Sequence, residues 1–472
     1  MSRSDKRRQD KAARKKAKVA RSSNLATPRP NAKPKIINIQ QAINLGLEHH
    51  NAGRLSAAKR IYQQILQTNP DQPVVLHLLA VIAHRVGKSH IAIGLITKAL
   101  ANNPDFAEAH HTLGIVFKES GRLKDAVINF RKAVAINPDF TEALVNLSAA
   151  LILLGKKDEA VHVLEAAVEK DRENSLLTDR LIKILNHHMP DIGTRGAYAK
   201  AQEALQQVDV VHQDAAKISD ETVHILYQHC QSILSRHPVT SDTSSSEIAR
   251  GINFDLGCQR HFKVFNTFNS IPEFCFGCYK VYVEPRTVVE LIKLLLMFDS
   301  LELPADNTRK CMIELRPSIP GAYKGYIYCN NFEEGHGILE IVRTIVSEKI
   351  SKDVPVSLKR GCSEFSVAYP NYGQMNGRHP PLMNYNEAWR EHEDTVDKNH
   401  IGHKYPAVFN THNHSGMTLE DALVMRKWLG YAAAIGDTDY LKVSGTPVQK
   451  LPIERPPFQP AEHELLKAPP TV

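Results

Sequence analysis

Two stretches of the sequence nearly repeat each other: NNPDFAEAHHTLG, which begins at Asn102, and INPDFTEALVNLS, which begins at Ile136. The two starts are 34 residues apart, and continuing at that period in both directions gives four units over about residues 39–172. A fixed period of this length is typical of a stack of similar structural units. Because one such unit cannot bury a core alone, the period predicts that neighbouring units pack against one another.

The units also keep the same side-chain sizes at the same positions. Counted from residues 39, 73, 107 and 141, the eighth and twentieth positions are small, and the twenty-fourth is large and apolar. The fifteenth position is always glycine: Gly53, Gly87, Gly121 and Gly155. Small and large positions that alternate in this way allow two helices to pack closely. We therefore predict a pair of helices in each unit, with the glycine at the turn between them.

This pattern resembles the tetratricopeptide repeat family over about residues 39–172. The resemblance implies a right-handed superhelix of paired helices, whose concave face binds an extended peptide or another protein. A less regular fifth unit, residues 174–188, is expected to cap the stack. A plain helical bundle is the alternative, and the regular period argues against it.

The resemblance also implies that the second, fifth, ninth, twelfth and thirteenth positions of each unit face the concave groove. Several of these positions carry histidine or a basic side chain: His50, His77, His84, Arg85, His111 and Lys118. Histidine becomes charged near neutral pH, so we expect an acidic peptide that binds more tightly as the pH falls. The alternative is that these are ordinary surface histidines. The groove lacks the Lys and Asn pattern of relatives that bind the C-termini of chaperones.

The chain beyond the repeats changes to a strand and helix pattern. The predicted elements, in order, are strand Tyr279–Val283, helix Arg286–Ser300, strands Cys311–Pro317 and Lys324–Cys329, helix Phe332–Ile350 and strand Val354–Lys359. Period-two alternation indicates the strands, and period 3.6 indicates the helices. The order βαββαβ with right-handed crossovers predicts a ferredoxin-like core with strand order 4-1-3-2.

The predicted fold class is thus multidomain, an all-α repeat solenoid followed by an α+β domain. The predicted boundaries are a basic tail at 1–35, repeats at 36–190, a helical extension at 191–237, a Ser/Thr/Pro-rich linker at 238–248, the α+β domain at 249–445 and a Pro-rich tail at 446–472.

Cysteines converge on one predicted edge of the sheet. Cys275 and Cys278 form a C-x-x-C turn before the first strand, Cys362 follows the last strand, and Cys258 or His261 could complete four ligands. Thiolates in such a turn favour zinc or an iron-sulfur cluster. Packing of buried thiols is the alternative. It is the preferred account of two further cysteines that alternate onto the helix-packed face, Cys311 and Cys329.

The opposite face of the predicted sheet is aromatic and basic, because Tyr282, Tyr326 and Tyr328 alternate away from the core. The basic residues beside them are Lys280, Lys324 and Arg316. KGYIYC and VYVEP, which lie on two of the strands, are similar to the strand signatures of the RNA-recognition motif. The similarity implies stacking of RNA bases on the rings. The signature departs at Ile327, where glycine is expected, and at Asn331, where an aromatic is expected. The alternative is that further chain covers this face, and FSVAYPNY, Phe365–Tyr372, is available to do so.

Two further segments carry candidate chemistry. Residues 1–22 contain ten Lys or Arg and two Asp, so this tail accounts for the net charge of +8. It could bind a polyanion such as nucleic acid, or serve as a disordered solubilising tail. His412 and His414 form an H-x-H pair, which can bind metal or transfer protons. They precede a helix that we expect Thr418 and Asp421 to cap.

Together these features favour a protein–protein interaction scaffold or adaptor. No apolar run is long enough to span a membrane, the N-terminus has no apolar signal core, and the odd number of cysteines is typical of a reducing cytosol. An enzyme that selects substrates with its repeats stays open, as does an RNA-binding protein. Because no glycine-rich phosphate loop follows a strand and no nucleophile with a base can be named, the sequence leans away from an enzyme.

Overall fold

A computed structural model of the protein describes residues 38–208, 217–251, 258–305, 307–317, 319–373, 383–398 and 416–453. The chain divides into two compact units, Met1–Val116 and Phe117–Val472. Across these described ranges, no helix combines the length and the apolar character that crossing a bilayer requires.

The first unit consists of helix pairs joined by glycine turns. Its helices are α1 (Ile39–Asn51), α2 (Leu55–Thr68), α3 (Pro73–Arg85), α4 (Ser89–Asn102) and the first part of α5 (Ala107–Glu119). Gly53 and Gly87, between the helices of a pair, have φ angles of 71° and 75°. This left-handed backbone is accessible to glycine without a steric penalty, which explains why glycine is found at these two turns.

Small and large side chains fit together inside the first unit. A Cβ atom on Gly46 of α1 would overlap the ring of Tyr62 on α2, and the Tyr62 side chain is fully buried. In the second pair, Ala92 and Ile96 are also fully buried. The alternation seen in the sequence therefore corresponds to tight contact between paired helices.

The second unit continues the same architecture. Its repeat helices are α6 (Leu123–Ile136), α7 (Thr141–Leu153), α8 (Lys157–Lys170) and α9 (Ser175–Leu185), the last of which is the helix of the fifth unit. Gly121 and Gly155 have φ angles of 74° and 77°. Phe130 and Leu164, the counterparts of Tyr62, are fully buried. The predicted helix pairs and glycine turns are confirmed in both units.

Hydrogen bonds join the repeats of the second unit to the helices that follow. These are α10 (Ala197–Gln206) and α11 (Asp220–Arg236), in the predicted helical extension. The carboxylate of Glu165 on α8 accepts hydrogen bonds from the backbone N–H groups of Gly196 and Ala199, at 3.1 and 3.0 Å. The Gln202 side chain on α10 accepts one from the N–H of Leu419 at 2.7 Å. Leu419 begins a long helix near the end of the chain.

The remaining elements surround one sheet. The strands are β1 (Glu247–Arg250), β2 (Tyr279–Val283), β3 (Arg309–Ile313), β4 (Tyr323–Cys329) and β5 (Val356–Arg360). The helices are α12 (Cys258–Phe268), α13 (Val288–Ser300), α14 (Phe332–Lys349), α15 (Ser363–Ala368), α16 (Pro370–Gly373), α17 (Arg390–Lys398), α18 (Leu419–Ile435) and α19 (Tyr440–Ser444). Helix α18 begins with the capping box predicted at Thr418 and Asp421.

The sheet has the strand order β1-β3-β4-β2-β5, and every neighbouring pair is antiparallel. Strands β2 to β5 overlap the four predicted strands, and they lie in the order β3-β4-β2-β5. Strand β1 is an addition at the edge beside β3. It was not predicted because it is only four residues long and follows a run of serines that is typical of a loop.

The segment predicted as a linker, residues 238–248, is anchored to the second unit by its polar groups. The hydroxyl of Thr243 donates to Asp179 of α9 at 2.7 Å, and the indole N–H of Trp428 donates to the carbonyl of Ser246 at 3.0 Å. The Ser/Thr-rich composition therefore serves side-chain and backbone hydrogen bonds here, rather than only flexibility.

The two faces of the sheet have different environments. Helix α13 contacts β3 and β4, and α14 contacts β2 and β5. A Cβ atom on Gly325 of β4 would overlap Leu294 of α13, which places alternate residues of β4 against the helices. Cys311 and Cys329 are buried, at 0% and 6% exposure, as the packing prediction required. The other face carries lysine and tyrosine side chains.

Candidate functional site

The histidines predicted for the groove of the first unit are not free surface charges. The hydroxyl of Thr112 donates to the carbonyl of Glu108, so it accepts a hydrogen bond from Nε2 of His77 at 2.8 Å. The His77 ring also contacts the edge of Phe106, with centroids 5.1 Å apart. Burial is the main cause that lowers the pKa of His77, to about 4. The imidazole is therefore neutral at physiological pH.

His50 has a similar environment. Its ring is buried, and burial, together with the positive charge of Arg85, lowers its pKa. His84 and His111 are half-buried, and Arg85 is exposed. Desolvation disfavours the imidazolium form of His50 and His77, which argues against the prediction that protonation of these two side chains tightens binding of an acidic peptide.

Within the second unit, two cations lie together on the repeat helices. The Lys118 ammonium on α5 donates to the side-chain oxygen of Asn146 on α7 at 2.7 Å. Burial lowers the pKa of Lys118; the charge of Glu119 raises it, and that of Arg180 on α9 lowers it. Arg180 is half-buried, and burial lowers its pKa. Its Nε has no hydrogen-bond partner among the described residues.

The aromatic and basic face of the sheet is more enclosed than the sequence suggests. We define the lysine–tyrosine face as Lys280 and Tyr282 of β2, Lys310 of β3, Lys324, Tyr326 and Tyr328 of β4 and Lys359 of β5. Lys280, Lys324 and Tyr326 are buried, at 6%, 1% and 8% exposure. The other four are half-buried.

The tyrosine rings of this face already have partners. Tyr282 and Tyr326 stack on each other, with ring centroids 5.3 Å apart. The Lys280 ammonium lies 4.9 Å from the ring centroid of Tyr328, and the Lys359 ammonium lies 4.7 Å from that of Tyr282. Cation–π contacts of this kind occupy the ring faces on which an RNA base would stack. The structure thus does not present these tyrosines as an open stacking surface.

A carboxylate inside the face holds two cations. Glu314, which is 1% exposed, accepts hydrogen bonds from Lys324 at 2.8 Å and from two nitrogens of Arg316 at 2.7 and 2.8 Å. Although burial raises the pKa of Glu314, these hydrogen bonds outweigh it and hold the pKa at about 2. The Glu314 carboxylate is therefore ionised and fully engaged.

Lys280 and Lys359 differ in their environment from Lys324. The Lys280 ammonium donates to the sulfur of Cys362 at 3.3 Å, and the Lys359 ammonium donates to the hydroxyl of Ser363 at 2.8 Å. Burial, followed by the charges of Lys280 and Lys324, lowers the pKa of Lys359 to about 8, against smaller opposing effects of Cys362 and Glu284. Lys359 is a residue that the sequence analysis missed, although it has the same strand alternation as Tyr282 and Lys280.

The four cysteines predicted as metal ligands lie near one another, since the charges of Cys362, Cys278 and Cys258 all act on Cys275. Cys275 is buried in an apolar cluster with Ile271, Phe365 and Tyr372, and burial raises its pKa well above the usual range. The Lys280 ammonium donates to the Cys362 sulfur and interacts electrostatically with Cys278 and Cys258, so these three cysteines lie near one lysine. Among the described residues, no group of three or more His, Cys, Asp or Glu is arranged to hold a metal ion. The metal site stays a hypothesis.

Two predicted sites lie outside the described residues. They are the histidine pair His412 and His414, and the basic tail at residues 1–22. Arg180, like Lys359, was missed by the sequence analysis. It lies in the irregular fifth unit, where the repeat pattern no longer identifies the positions that face the groove.

Comparison with known proteins identifies the repeats. Two profiles, both described as tetratricopeptide repeat, match residues 77–140 and 118–178. Matching solved structures include MamA, at 24% identity over 28% of this chain and 73% of that one, with a TM-score of 0.27. Another is pilF of Pseudomonas aeruginosa, at 15% identity over 49% of this chain and 92% of that one, with a TM-score of 0.31.

These TM-scores are below 0.5, so the two likenesses do not bear on the function of the chain. No curated protein matches it. The profiles, the helix pairs and the glycine turns agree on the same residues. Residues 77–178 are therefore tetratricopeptide repeats, a repeat class that forms extended surfaces for binding proteins or peptides.

Proposed function

We propose that the protein is an adaptor whose repeats bind a partner protein through an acidic group that contacts Lys118 and Arg180. The observation that carries this proposal is the Arg180 guanidinium, which is half-buried and whose Nε has no hydrogen-bond partner among the described residues. Lys118 is close enough for the charge of Arg180 to lower its pKa. Two like charges are thus held close together on the repeat helices α5 and α9.

The energetics of these two cations favour an anionic partner. A buried donor without a partner costs about 1–3 kcal/mol, and a guanidinium offers paired N–H groups that match the two oxygens of a carboxylate. A side-chain carboxylate of a partner would pair with the guanidinium and reduce the repulsion between Lys118 and Arg180. This contact replaces the histidine contacts that the sequence suggested.

The α+β region is the second part of the proposed adaptor. Strands β2 to β5 with helices α13 and α14 form, in our proposal, a ferredoxin-like core to which β1 adds an edge strand. Hydrogen bonds from Thr243 to Asp179 and from Leu419 to Gln202 fix this region to α9 and α10. A partner bound near Arg180 would therefore be held at a fixed position relative to the sheet.

The test uses the full chain and a fluorescent peptide of alternating Glu and Ala, with the Gln and Ala peptide as its neutral counterpart. We expect the acidic peptide to bind, and Arg180→Gln to weaken that binding roughly tenfold, since it removes a charge-assisted hydrogen bond. Arg131→Gln is the matched control, because Arg131 is exposed on α6 and pairs with Glu159. Fluorescence anisotropy gives the affinities. Equal binding of the two peptides, or equal effects of the two Arg variants, would overturn the proposal.

A further inference from the structure

The four lysines of the lysine–tyrosine face are of two kinds. Lys310 forms an ion pair with Glu247 of β1, and Lys324 forms one with Glu314 at 2.8 Å. Lys280 and Lys359 form no ion pair with a carboxylate among the described residues; their hydrogen-bond partners are a cysteine sulfur and a serine hydroxyl. Since burying a charge without a counterion is costly, these two ammonium groups need a further explanation.

The two ammonium groups without a counterion are also neighbours. Lys280 of β2 and Lys359 of β5 lie directly opposite each other in the antiparallel register. Both ammonium groups approach the same ring, since they lie 5.6 and 5.5 Å from the ring centroid of Tyr326. Like charges directly opposite each other across two strands destabilise a sheet. Two positive charges thus converge on one aromatic ring, and neither is paired with a carboxylate among the described residues.

We propose that Lys280 and Lys359 form a binding site for the oxyanion group, phosphate or carboxylate, of a small molecule. One oxyanion between the two ammonium groups would neutralise the pair and accept a hydrogen bond from each. The Ser363 hydroxyl accepts a hydrogen bond from Lys359, which holds that ammonium in place at the proposed site. This site is independent of the repeats and of the partner proposed for them.

The other charged groups around the site leave it positive. Glu314 is engaged by Lys324 and Arg316, and Arg316 also pairs with Glu364. Glu284 acts on Lys359 through its charge but forms no ion pair with it among the described residues. The groups that interact electrostatically with Lys280 are Tyr328 and the three cysteines Cys258, Cys278 and Cys362, and none of them is a carboxylate. No described carboxylate therefore occupies the position between the two ammonium groups.

Among the described residues, the site is most accessible at one edge of the sheet. Strand β5 is the edge strand next to β2, Lys359 on it is half-buried, and Ser357, which lies opposite Tyr282, is exposed. A small anion can thus approach from the β5 edge and contact Lys359 first, with Lys280 deeper inside. The half-exposed Tyr282 ring lies beside this entrance.

The test measures binding of inorganic phosphate and of acetate to the full chain by calorimetry near pH 7, at an ionic strength held constant with sodium chloride. We expect at least one of the two anions to bind, and the comparison shows whether phosphate or carboxylate is preferred. Lys359→Met should weaken binding at least roughly tenfold, because it removes a charged donor. Lys359→Arg keeps the charge and should stay within roughly threefold of the wild type.

The matched control is Lys352→Met, since Lys352 is an exposed lysine in the turn before β5, and it should bind like the wild type. If Lys280→Met fails to fold, the Lys359 variants still decide the question. Absence of binding of both anions to the wild-type chain, or binding that Lys359→Met leaves unchanged, would overturn the proposal.

Discussion

The side chain of Asn186, at the end of α9, donates a hydrogen bond to the carboxylate of Glu420 on α18, and the two atoms are 2.9 Å apart. This contact joins the last repeat helix to the helix that packs beside the sheet. Burial, followed by the charge of Asp421, raises the pKa of Glu420 to about 7. The contact between the two regions therefore includes a group that titrates near neutral pH.

We predict that Glu420 makes the stability of the second unit depend on pH. Its pKa in the unfolded chain is near 4.5, so between about pH 4.5 and 7 the folded chain binds more protons than the unfolded chain. The contribution of Glu420 is thus fully present below pH 4.5 and is lost as the pH rises to 7, by on the order of 2 kcal/mol. Urea unfolding at pH 5 and 7.5 should show this loss in the wild type and not in Glu420→Gln. The exposed Glu302→Gln should behave like the wild type.

His77 should make the stability of the first unit depend on pH in the opposite direction to Glu420. Because its pKa is lowered from 6.5 to about 4, the unfolded chain binds more protons between these values, and the stability is lost as the pH falls through this window. The NMR titration of the His77 ring should have its midpoint near pH 4. His77→Gln should reduce the loss of stability on acidification, whereas His90→Gln, at an exposed position of α4, should not. A His77 midpoint near 6.5 would contradict the buried, neutral assignment.

Replacing glycine by alanine should change the free energy of unfolding in opposite directions at a turn and inside a helix. Gly121 has a φ of 74°, so Gly121→Ala should lower the free energy of unfolding by roughly 1–2 kcal/mol. Gly94 lies in the exposed interior of α4, where a Cβ atom meets nothing within 4 Å. Gly94→Ala should therefore stabilise the chain by roughly 0.5–1 kcal/mol. Thermal and urea unfolding measure both, and equal effects of the two variants would count against the turn geometry.

The metal hypothesis predicts about one equivalent of zinc or iron in the full chain after growth in supplemented medium. Cys275→Ser with Cys278→Ser should remove the metal and destabilise the α+β region. Because the Lys280 ammonium and a metal would compete for the same sulfurs, Lys280→Met should increase the metal content. Elemental analysis of these variants decides the matter. Less than about a tenth of an equivalent in all forms, with unchanged melting of the double variant, would leave packing as the role of these thiols.

The basic tail carries a prediction that rests on sequence alone. Deletion of residues 1–22 removes a charge of +8 and should abolish most salt-sensitive retention on heparin. The melting temperature should stay the same. A variant that deletes the Pro-rich residues 454–472 is the control for shortening the chain. Equal retention of the tail deletion and the wild type would show that the polyanion contact lies elsewhere.

The parts of the fold that follow a strict period could be predicted from the sequence. The 34-residue repeat gave the helix pairs and the turns at Gly53, Gly87, Gly121 and Gly155. Strand alternation gave β2 to β5 and the buried positions of Cys311 and Cys329. These predictions succeed because residues spaced at the period of a helix or strand lie on one face of it, and apolar residues at that spacing mark the buried face.

The site residues were harder to predict for a physical reason. Alternation shows that Lys280 and Tyr326 lie on the same face, but it does not show whether other parts of the chain enclose that face. The low pKa of His77 likewise depends on Phe106 and Thr112, which surround it in space. Arg180 and β1 lie in segments without a regular repeat or strand alternation, so no sequence pattern predicted them. The burial and the contacts that tertiary packing creates around a side chain therefore could not be predicted from this one sequence.

The four turn glycines share nearly the same φ, between 71° and 77°, at a spacing of one repeat. Because the backbone has the same conformation at each of them, the chain that enters one turn is interchangeable with the chain that enters the next. Unequal crossover within the coding sequence at these glycine codons would insert or remove one whole repeat. The backbone conformation at the new turn would be the same as at the old one. The length of the binding surface can thus change in evolution in single steps, while the helices on either side keep their register.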